Sequence, residues 1–141
     1  MNKVAVYGSL RKGLGNHRVL GDSKLIGKEW IPNYEMFSLG SFPGIRNGKG
    51  AIYVEVYEVD NDTLKRLDTL EGYHSKDSVN NFYDKEEVST KFGDALIYTL
   101  QGERYKRNPI VSSGNWKAHS ATLKRSEEHT SELQSPMYLV C

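Results

Sequence analysis

The clearest pattern along the chain is an alternation of apolar and polar positions between residues 51 and 59. Ile52, Val54 and Val56 face one side of a predicted strand, and the residues between them face the other. Apolar or β-branched runs predict further strands at residues 3–7, 25–29, 34–39, 84–90 and 95–100. Pro32-Asn33 and Gly93-Asp94 predict turns between strands, and the four glycines and one proline of residues 40–50 predict a loop.

One segment has the apolar spacing of a helix. It begins at Asp60, whose side chain can cap the first turn, and it ends at Gly72. A second, short helix is predicted near Asn16, with Val19 and Leu20 turned inward. Many strands with one or two helices predict an α+β fold or a small barrel-like domain.

Length and composition limit the classes of protein that fit. The 141 residues suit one domain, and a formal net charge of +1 gives no strong field to gather nucleic acid or an anionic membrane. No apolar run approaches the roughly 20 residues that cross a bilayer. The single cysteine, Cys141, and four histidines without ligand spacing predict no intramolecular disulfide and no metal site. We therefore expect a cytoplasmic monomer with no metal, no cofactor, and neither a nucleic-acid polymer nor a membrane as partner.

The end of the chain differs in character from the rest. Residues 125–135, Arg-Ser-Glu-Glu-His-Thr-Ser-Glu-Leu-Gln-Ser, resemble the conceptual translation of a common DNA-sequencing adapter. They hold one apolar side chain, which is too little to offset the conformational entropy lost on ordering the segment. We expect residues 1–124 to form the domain and residues 125–141 to be a non-native tail without a role in function.

The predicted helix carries two acids on its apolar stripe. Leu64, Leu67, Asp68 and Glu71 stand at i, i+3, i+4 and i+7 and therefore share one face. Desolvation there disfavours a charged carboxylate, so the pKa of Glu71 should rise toward the range that is useful for a general base. The alternative is that Glu71 lies in a frayed last turn and reaches water.

The glycine-rich segment that follows the first strand does not fit the familiar phosphate and nucleophile motifs. Gly8 and Gly13 have the Walker spacing, but Leu14-Gly15 follows where a Lys-Ser/Thr pair is required. Ser9 is not in a Gly-x-Ser-x-Gly elbow. Two readings stay open: a turn whose backbone N–H groups bind a carboxylate or an oxyanion, or a plain tight turn.

Residues 6–13, Val-Tyr-Gly-Ser-Leu-Arg-Lys-Gly, followed by Asn16-His17, strongly resemble the opening of the gamma-glutamylcyclotransferase-like superfamily, which includes gamma-glutamylamine cyclotransferases and AIG2-like proteins. Further segments resemble that family in the same order across residues 3–117: Phe42-Pro43-Gly44, residues 56–59, residues 67–73, Phe82-Tyr83 and residues 113–116.

The resemblance implies a fold and a set of site residues. The fold is a small mixed β-barrel flanked by a few helices. The site is a turn that cradles a glutamyl group, an acid–base residue and further pocket residues: Tyr7, Gly8, Ser9, Leu10, Glu71, Pro43, Gly44 and Tyr83. Two positions depart from the family's pattern, because Lys85 stands where arginine is usual and Asn115 where aspartate is common.

The resemblance also implies an activity, the release of 5-oxoproline and a free amine from a gamma-glutamyl amine or amide with Glu71 as general acid and base. The alternative is a binding protein of the same fold, phage-encoded for instance, that sequesters an anionic metabolite or nucleotide signal and catalyses nothing. Arg11, Lys12, Arg18 and Arg46, near the glycine loops, would suit a phosphate, although a solvated surface is their commoner role. A purely structural or interaction domain ranks last, because it has no need for an inward acid opposite a glycine turn.

Overall fold

The computed structural model describes residues 2–8, 10–12, 14, 17–40, 42–76, 78–100 and 107–119. Within them the chain forms β1 (Asn2–Val6), a 3-10 helix (His17–Leu20), β2 (Lys24–Ser38), β3 (Pro43–Val59), α1 (Asn61–Leu70), β4 (Tyr83–Thr90) and β5 (Gly93–Leu100). Residues 116–119 add one helical turn. No helix among these residues is both long and apolar enough to traverse a bilayer. Ser9, Asn16 and the expected tail at residues 125–141 lie outside the described residues.

The five strands form one mixed sheet in the order β2-β3-β1-β5-β4. The central strand β1 runs antiparallel to β3 and parallel to β5. A closed barrel requires the two outermost strands to pair with each other. In the described part of the chain β2 pairs with β3 and β4 pairs with β5, so the sheet has two edges and the predicted barrel is wrong. The α+β class, strands with few helices, is confirmed.

A long hairpin of β2 and β3 replaces a predicted turn and most of a predicted loop. Pro32-Asn33 does not separate two strands, because pairing continues past it with a register shift between Pro32 and Tyr34, where Asn33 has a φ of 72°. Residues 43–50 form strand, in which residues 43–47 pair with β2 and residues 48–50 fall in the register shift. The actual turn is tight, and in it the Leu39 N–H donates to the Phe42 carbonyl at 2.9 Å. Cross-strand pairing therefore overrides the local preference of glycine and proline for loops.

The β4–β5 hairpin lies near its predicted position. Its strands pair from Tyr83 with Leu100 to Thr90 with Gly93, so the turn is at Lys91-Phe92 and not at Gly93-Asp94. Gly93 has a φ of 109° and is itself the first residue of β5.

Both ends of α1 follow the predicted capping chemistry. The Asp60 carboxylate accepts a hydrogen bond from the Thr63 N–H at 2.8 Å at the start of the helix. At the other end Gly72 has a φ of 69°, and the Tyr73 N–H donates to the Asp68 carbonyl at 2.9 Å. This is a Schellman ending, in which a left-handed glycine closes the helix.

The sheet is covered on both faces where β1 crosses it. Val4 is paired with Tyr57 and with Leu96, and Val6 is paired with Glu55, so these side chains share one face. The alternation predicted for β3 is confirmed, but the polar side of that alternation is not exposed here, since Glu55 and Tyr57 are both buried. The α-helix is on this face as well, because the Tyr98 hydroxyl, on the same side as Leu96, donates to Asp68 of α1 at 2.7 Å.

Candidate functional site

The described residues that follow β1, residues 7–8 and 10–12, form a sharp turn, which we call the glycine turn. Tyr7, Gly8 and Leu10 are buried in it, and the Arg11 N–H closes it by donating to the Gly8 carbonyl at 3.0 Å. The Tyr7 hydroxyl donates to the Tyr98 carbonyl of β5 at 2.7 Å. Most of the glycine turn is therefore buried at the end of the central strand, and the Tyr7 side chain ties its start to β5.

Three further predicted pocket residues lie together. Pro43 and Gly44 begin β3 and are buried, although they were predicted to lie in a loop. The fully buried Tyr83 donates its hydroxyl proton to the Pro43 carbonyl. A Cβ on Gly44 would stand 2.5 Å from the Leu100 side chain, the partner of Tyr83 across the β4–β5 ladder. The start of β3 is thus packed against the start of β4 and the end of β5.

Glu71 is the C-cap residue of α1 and its exposed fraction is 0%. The alternative of a frayed, solvated last turn is therefore wrong. The next residue, Gly72, accepts a hydrogen bond from the Phe82 N–H at 2.9 Å, which ties the end of the helix to the residue before Tyr83. This hydrogen bond joins the residue after Glu71 to the residue before Tyr83, so Glu71 and Tyr83 lie at the same end of the sheet. The raised pKa and the acid–base role of Glu71 stay predictions.

Asp68, the second acid on the helix stripe, is half-buried and paired. Lys85 of β4 donates to its two carboxylate oxygens at 2.9 and 3.0 Å, and the Tyr98 hydroxyl donates to it at 2.7 Å. The Lys85 ammonium also lies 4.5 Å from the centre of the Tyr73 ring, a cation–π contact. Lys85, one of the two departures from the family's pattern, therefore fixes the last turn of α1 on the sheet.

A second ionic cluster, around Glu55, was not predicted. Its carboxylate accepts hydrogen bonds from Arg11 Nε at 3.2 Å, from the Lys12 N–H at 2.8 Å and from the Tyr57 hydroxyl at 2.8 Å. The exposed fraction of Glu55 is 0% and that of Arg11 is 3%. Arg11 also donates to Asn115 Oδ1 at 2.8 Å. We call Glu55 with these donors the Glu55 anchor; the one signal for it in the sequence was an acid between two tyrosines on β3.

The anchor changes the titration of its two acidic groups. Burial alone raises the pKa of the Glu55 carboxyl, but the hydrogen bonds from the Lys12 N–H, Tyr57 and Arg11, with the charge of Arg11, outweigh burial and hold the pKa below its ordinary value of 4.5. Burial and the neighbouring carboxylate raise the pKa of the Tyr57 hydroxyl. At neutral pH the cluster therefore contains an ionised Glu55 and a protonated Tyr57.

This gives a prediction for acid stability. Because the folded-state pKa of Glu55 is lowered, its carboxylate stabilises the fold fully above about pH 4.5 and loses that contribution as the pH falls through the folded-state value. We expect the difference in Tm between the wild type and Glu55→Gln to be largest near about pH 7 and to shrink below about pH 4.5. Circular dichroism melts across this range measure it, and a difference that is constant with pH contradicts it.

Within the described residues, no three histidine, cysteine, aspartate or glutamate side chains come together as a metal-binding group. The carboxylates of Glu55 and Asp68 are each paired with a basic side chain.

Comparisons with known proteins agree on one family. The family model described as "Gamma-glutamyl cyclotransferase, AIG2-like" matches residues 4–118. A Vibrio cholerae relative is 40% identical over 114 residues, which are 80% of this chain and 93% of that protein. The "Gamma-glutamylcyclotransferase family protein YtfP" of Escherichia coli K12 is 34% identical, over 81% of this chain and 95% of its own. The crystal structure of PH0828 from Pyrococcus horikoshii superposes with a TM-score of 0.72 at 32% identity, covering 92% of this chain and 99% of that one.

Proposed function

The chain belongs to the AIG2-like gamma-glutamyl cyclotransferase family, and from this we propose that it cyclises a gamma-glutamyl amine or amide to 5-oxoproline and a free amine. The observation that carries the proposal is the fully buried carboxylate of Glu71 at the end of α1. A buried carboxylate suits proton transfer, because desolvation disfavours its charged form. A purely structural or interaction domain has no need for an inward acid opposite a glycine turn.

The reaction is intramolecular. The substrate's α-amino nitrogen attacks its own γ-carbonyl carbon, a C–N bond forms to close the five-membered ring, and the bond to the leaving amine breaks. The attacking nitrogen begins as an ammonium group and loses two protons on becoming the ring amide; Glu71 takes each in turn and passes it to the departing nitrogen, which leaves as an ammonium ion, so no water is consumed and no covalent enzyme intermediate forms. Holding the glutamyl chain folded back on itself supplies the proximity that the ring closure requires.

The glycine turn would stabilise the negative charge that develops on the γ-carbonyl oxygen. Backbone N–H groups at Gly8 and Leu10 are natural donors for it, since both residues are buried at the end of β1. Tyr83 would contribute as an acceptor only, because its hydroxyl proton is donated to the Pro43 carbonyl. Such an acceptor suits the substrate's α-ammonium group before it is deprotonated.

The alternative of an anion-sequestering protein receives less support from the basic residues near the turn. Arg11 was expected to lie on a solvated surface. It is buried instead, and its charge is neutralised by Glu55. Arg46 is half-buried, 5.5 Å from the centre of the Phe37 ring. Lys12 and Arg18 are exposed. A phosphate would therefore meet less positive charge than the sequence suggests.

The proposed function is tested by turnover of the purified full chain on a panel of gamma-glutamyl amines, gamma-glutamyl amides and gamma-glutamyl dipeptides. Release of 5-oxoproline is measured by chromatography with mass spectrometry. The same protein after heat denaturation is the control, because some gamma-glutamyl compounds cyclise without an enzyme. Absence of 5-oxoproline above that control for every compound, with binding of an anionic small molecule that is recovered unchanged, favours the sequestering alternative.

Ser9, which lies outside the described residues, is expected to line the pocket without acting as a nucleophile. Ser9→Ala should therefore keep measurable turnover, since the substrate's own amino group makes the new bond. Steady-state rates and intact-mass spectra during turnover measure this. A wholly inactive variant, together with a covalent adduct on Ser9 in the wild type, would exclude the intramolecular mechanism.

A further inference from the structure

Both carboxylate oxygens of Glu55 are used inside the protein. Oε1 accepts hydrogen bonds from the Lys12 N–H and the Tyr57 hydroxyl, and Oε2 accepts one from Arg11 Nε. The side chain is fully buried, so these contacts replace all of its contact with water. Two of the three donors belong to the glycine turn and the third to β3 itself.

Glu55 binds Arg11 and Lys12, the last two residues of the glycine turn. The Arg11 N–H donates to the Gly8 carbonyl at 3.0 Å, so holding Arg11 also holds the peptide group after Gly8. On its other side the Arg11 guanidinium donates to Asn115 Oδ1 at 2.8 Å, and Lys117 Nζ donates to the Lys12 carbonyl at 2.6 Å. The glycine turn is thus clamped between β3 and residues 115–117.

The sheet places the anchor beside the proposed chemistry. Glu55 is the cross-strand partner of Val6, the residue directly before Tyr7. Its side chain lies on the same face of the sheet as α1, because Tyr98 on that face donates to Asp68, one turn before Glu71. The helix that carries the proposed base and the anchor therefore lie on the same face of the sheet.

Stability alone does not account for a buried ion pair here. Removing Glu55 and Arg11 from water costs much of what their attraction returns, and apolar replacements often do as well. A buried pair with full hydrogen bonding does impose one geometry on the segments that it joins. Backbone donors that stabilise a transition state need such a geometry, since a displacement of about 1 Å can cost about 100-fold in rate.

Given the proposed cyclisation, we propose that Glu55 is a positioning residue for it. Through Arg11 and the Lys12 N–H it holds the glycine turn in the shape in which the backbone N–H groups meet the developing oxyanion. Glu55 neither touches the substrate nor carries a proton in the reaction. It acts through the glycine turn, and the charge of its carboxylate is required for this.

The first test is a comparison of kcat and KM for Glu55→Gln, measured on the full chain with a gamma-glutamyl amide that the wild type turns over. Glutamine keeps the size of the side chain and one acceptor oxygen but loses the charge that pairs with Arg11. We expect kcat to fall about 10- to 100-fold and KM to change less than about threefold, because misplaced donors weaken the transition state more than the bound substrate. Wild-type kcat in this variant overturns the proposal.

Two further variants separate positioning from a general effect of the substitution. Glu58→Gln makes the same change three residues along β3, on the opposite face, and should leave kcat within about twofold of the wild type. Glu55→Gln combined with Arg11→Gln should lose no more activity than the worse single variant, because each change removes one charge of the same ion pair. Losses that multiply would show that the two residues act independently, which contradicts the proposal.

Hydrogen exchange gives a readout that does not depend on activity. Deuterium uptake by the peptide covering residues 7–14 should be faster in Glu55→Gln than in the wild type, while uptake by β5 stays the same. If the wild type releases no 5-oxoproline, the proposed function fails and exchange alone decides the role of Glu55: unchanged uptake overturns it and faster uptake supports it. If Glu55→Gln does not fold, Arg11→Gln removes the other charge of the same pair and carries the same measurements.

Discussion

Glu71→Gln is expected to lower the rate of 5-oxoproline release by roughly 10²- to 10⁴-fold, while the protein folds and binds ligand as the wild type does. Glutamine has nearly the same shape as glutamate and fits the same buried position at the end of α1. It cannot accept a proton, so only the acid–base step is removed. Steady-state kinetics measure the rate, and calorimetric titration with 5-oxoproline measures binding.

Glu87→Gln is the matched control, because it makes the same substitution at an exposed position of β4. It should leave both the rate and the Tm close to those of the wild type. A Glu71→Gln variant as active as this control would remove Glu71 from the mechanism. An inactive Glu71→Gln variant that also melts many degrees lower would point to a packing effect instead.

Gly114→Ala is expected to cause the largest loss of stability. Gly114 has a φ of +67°, and a Cβ there would stand 2.0 Å from the backbone carbonyl oxygen of Ala51 in β3. The left-handed conformation alone costs about 1–2 kcal/mol for alanine, and backbone that must move apart brings the total to on the order of 3 kcal/mol. That corresponds to a fall in Tm of about 10 °C in a domain of this size. Thermal melting followed by circular dichroism measures it.

Gly21→Ala separates the two causes. Gly21 has a similar φ of +58°, but a Cβ there meets nothing within 4 Å, so this variant has the backbone strain without the clash. Gly114→Ala should melt well below Gly21→Ala. Equal Tm values would mean that β3 and residues 107–119 separate at no cost. The comparison also bears on the site, because the residue after Gly114 is Asn115, which holds Arg11.

The sequence predicts best those features that depend only on residues close together in the chain. Asp60 and Gly72 delimit α1 through hydrogen bonds that span three to five residues, and both predictions are confirmed. The alternation in β3 is confirmed for the same reason, since side chains alternate along any strand.

Predictions were wrong where pairing between distant residues overrides local preference. Residues 43–50 contain glycines that favour a loop, yet they form strand because β2 pairs with residues 43–47 and resumes pairing at residue 51. The barrel predicted from the family resemblance fails for a related reason. Closure is decided by whether the outermost strands meet, and β2 and β4 each pair on one side only within the described residues.

The sequence alone placed Glu71 on the stripe of Leu64 and Leu67, because helical periodicity is local geometry, but it left a frayed and solvated last turn open until the burial of Glu71 excluded it. It also determined that a turn follows β1, through the glycine after Tyr7. Only the tertiary structure decided what holds that turn, because the Glu55–Arg11 pair joins residues 44 apart in the chain. The same is true of the hydrogen bond between Tyr98 and Asp68, which joins residues 30 apart. No local pattern marks such pairs, since a buried charge finds its partner only after the strands have been brought together.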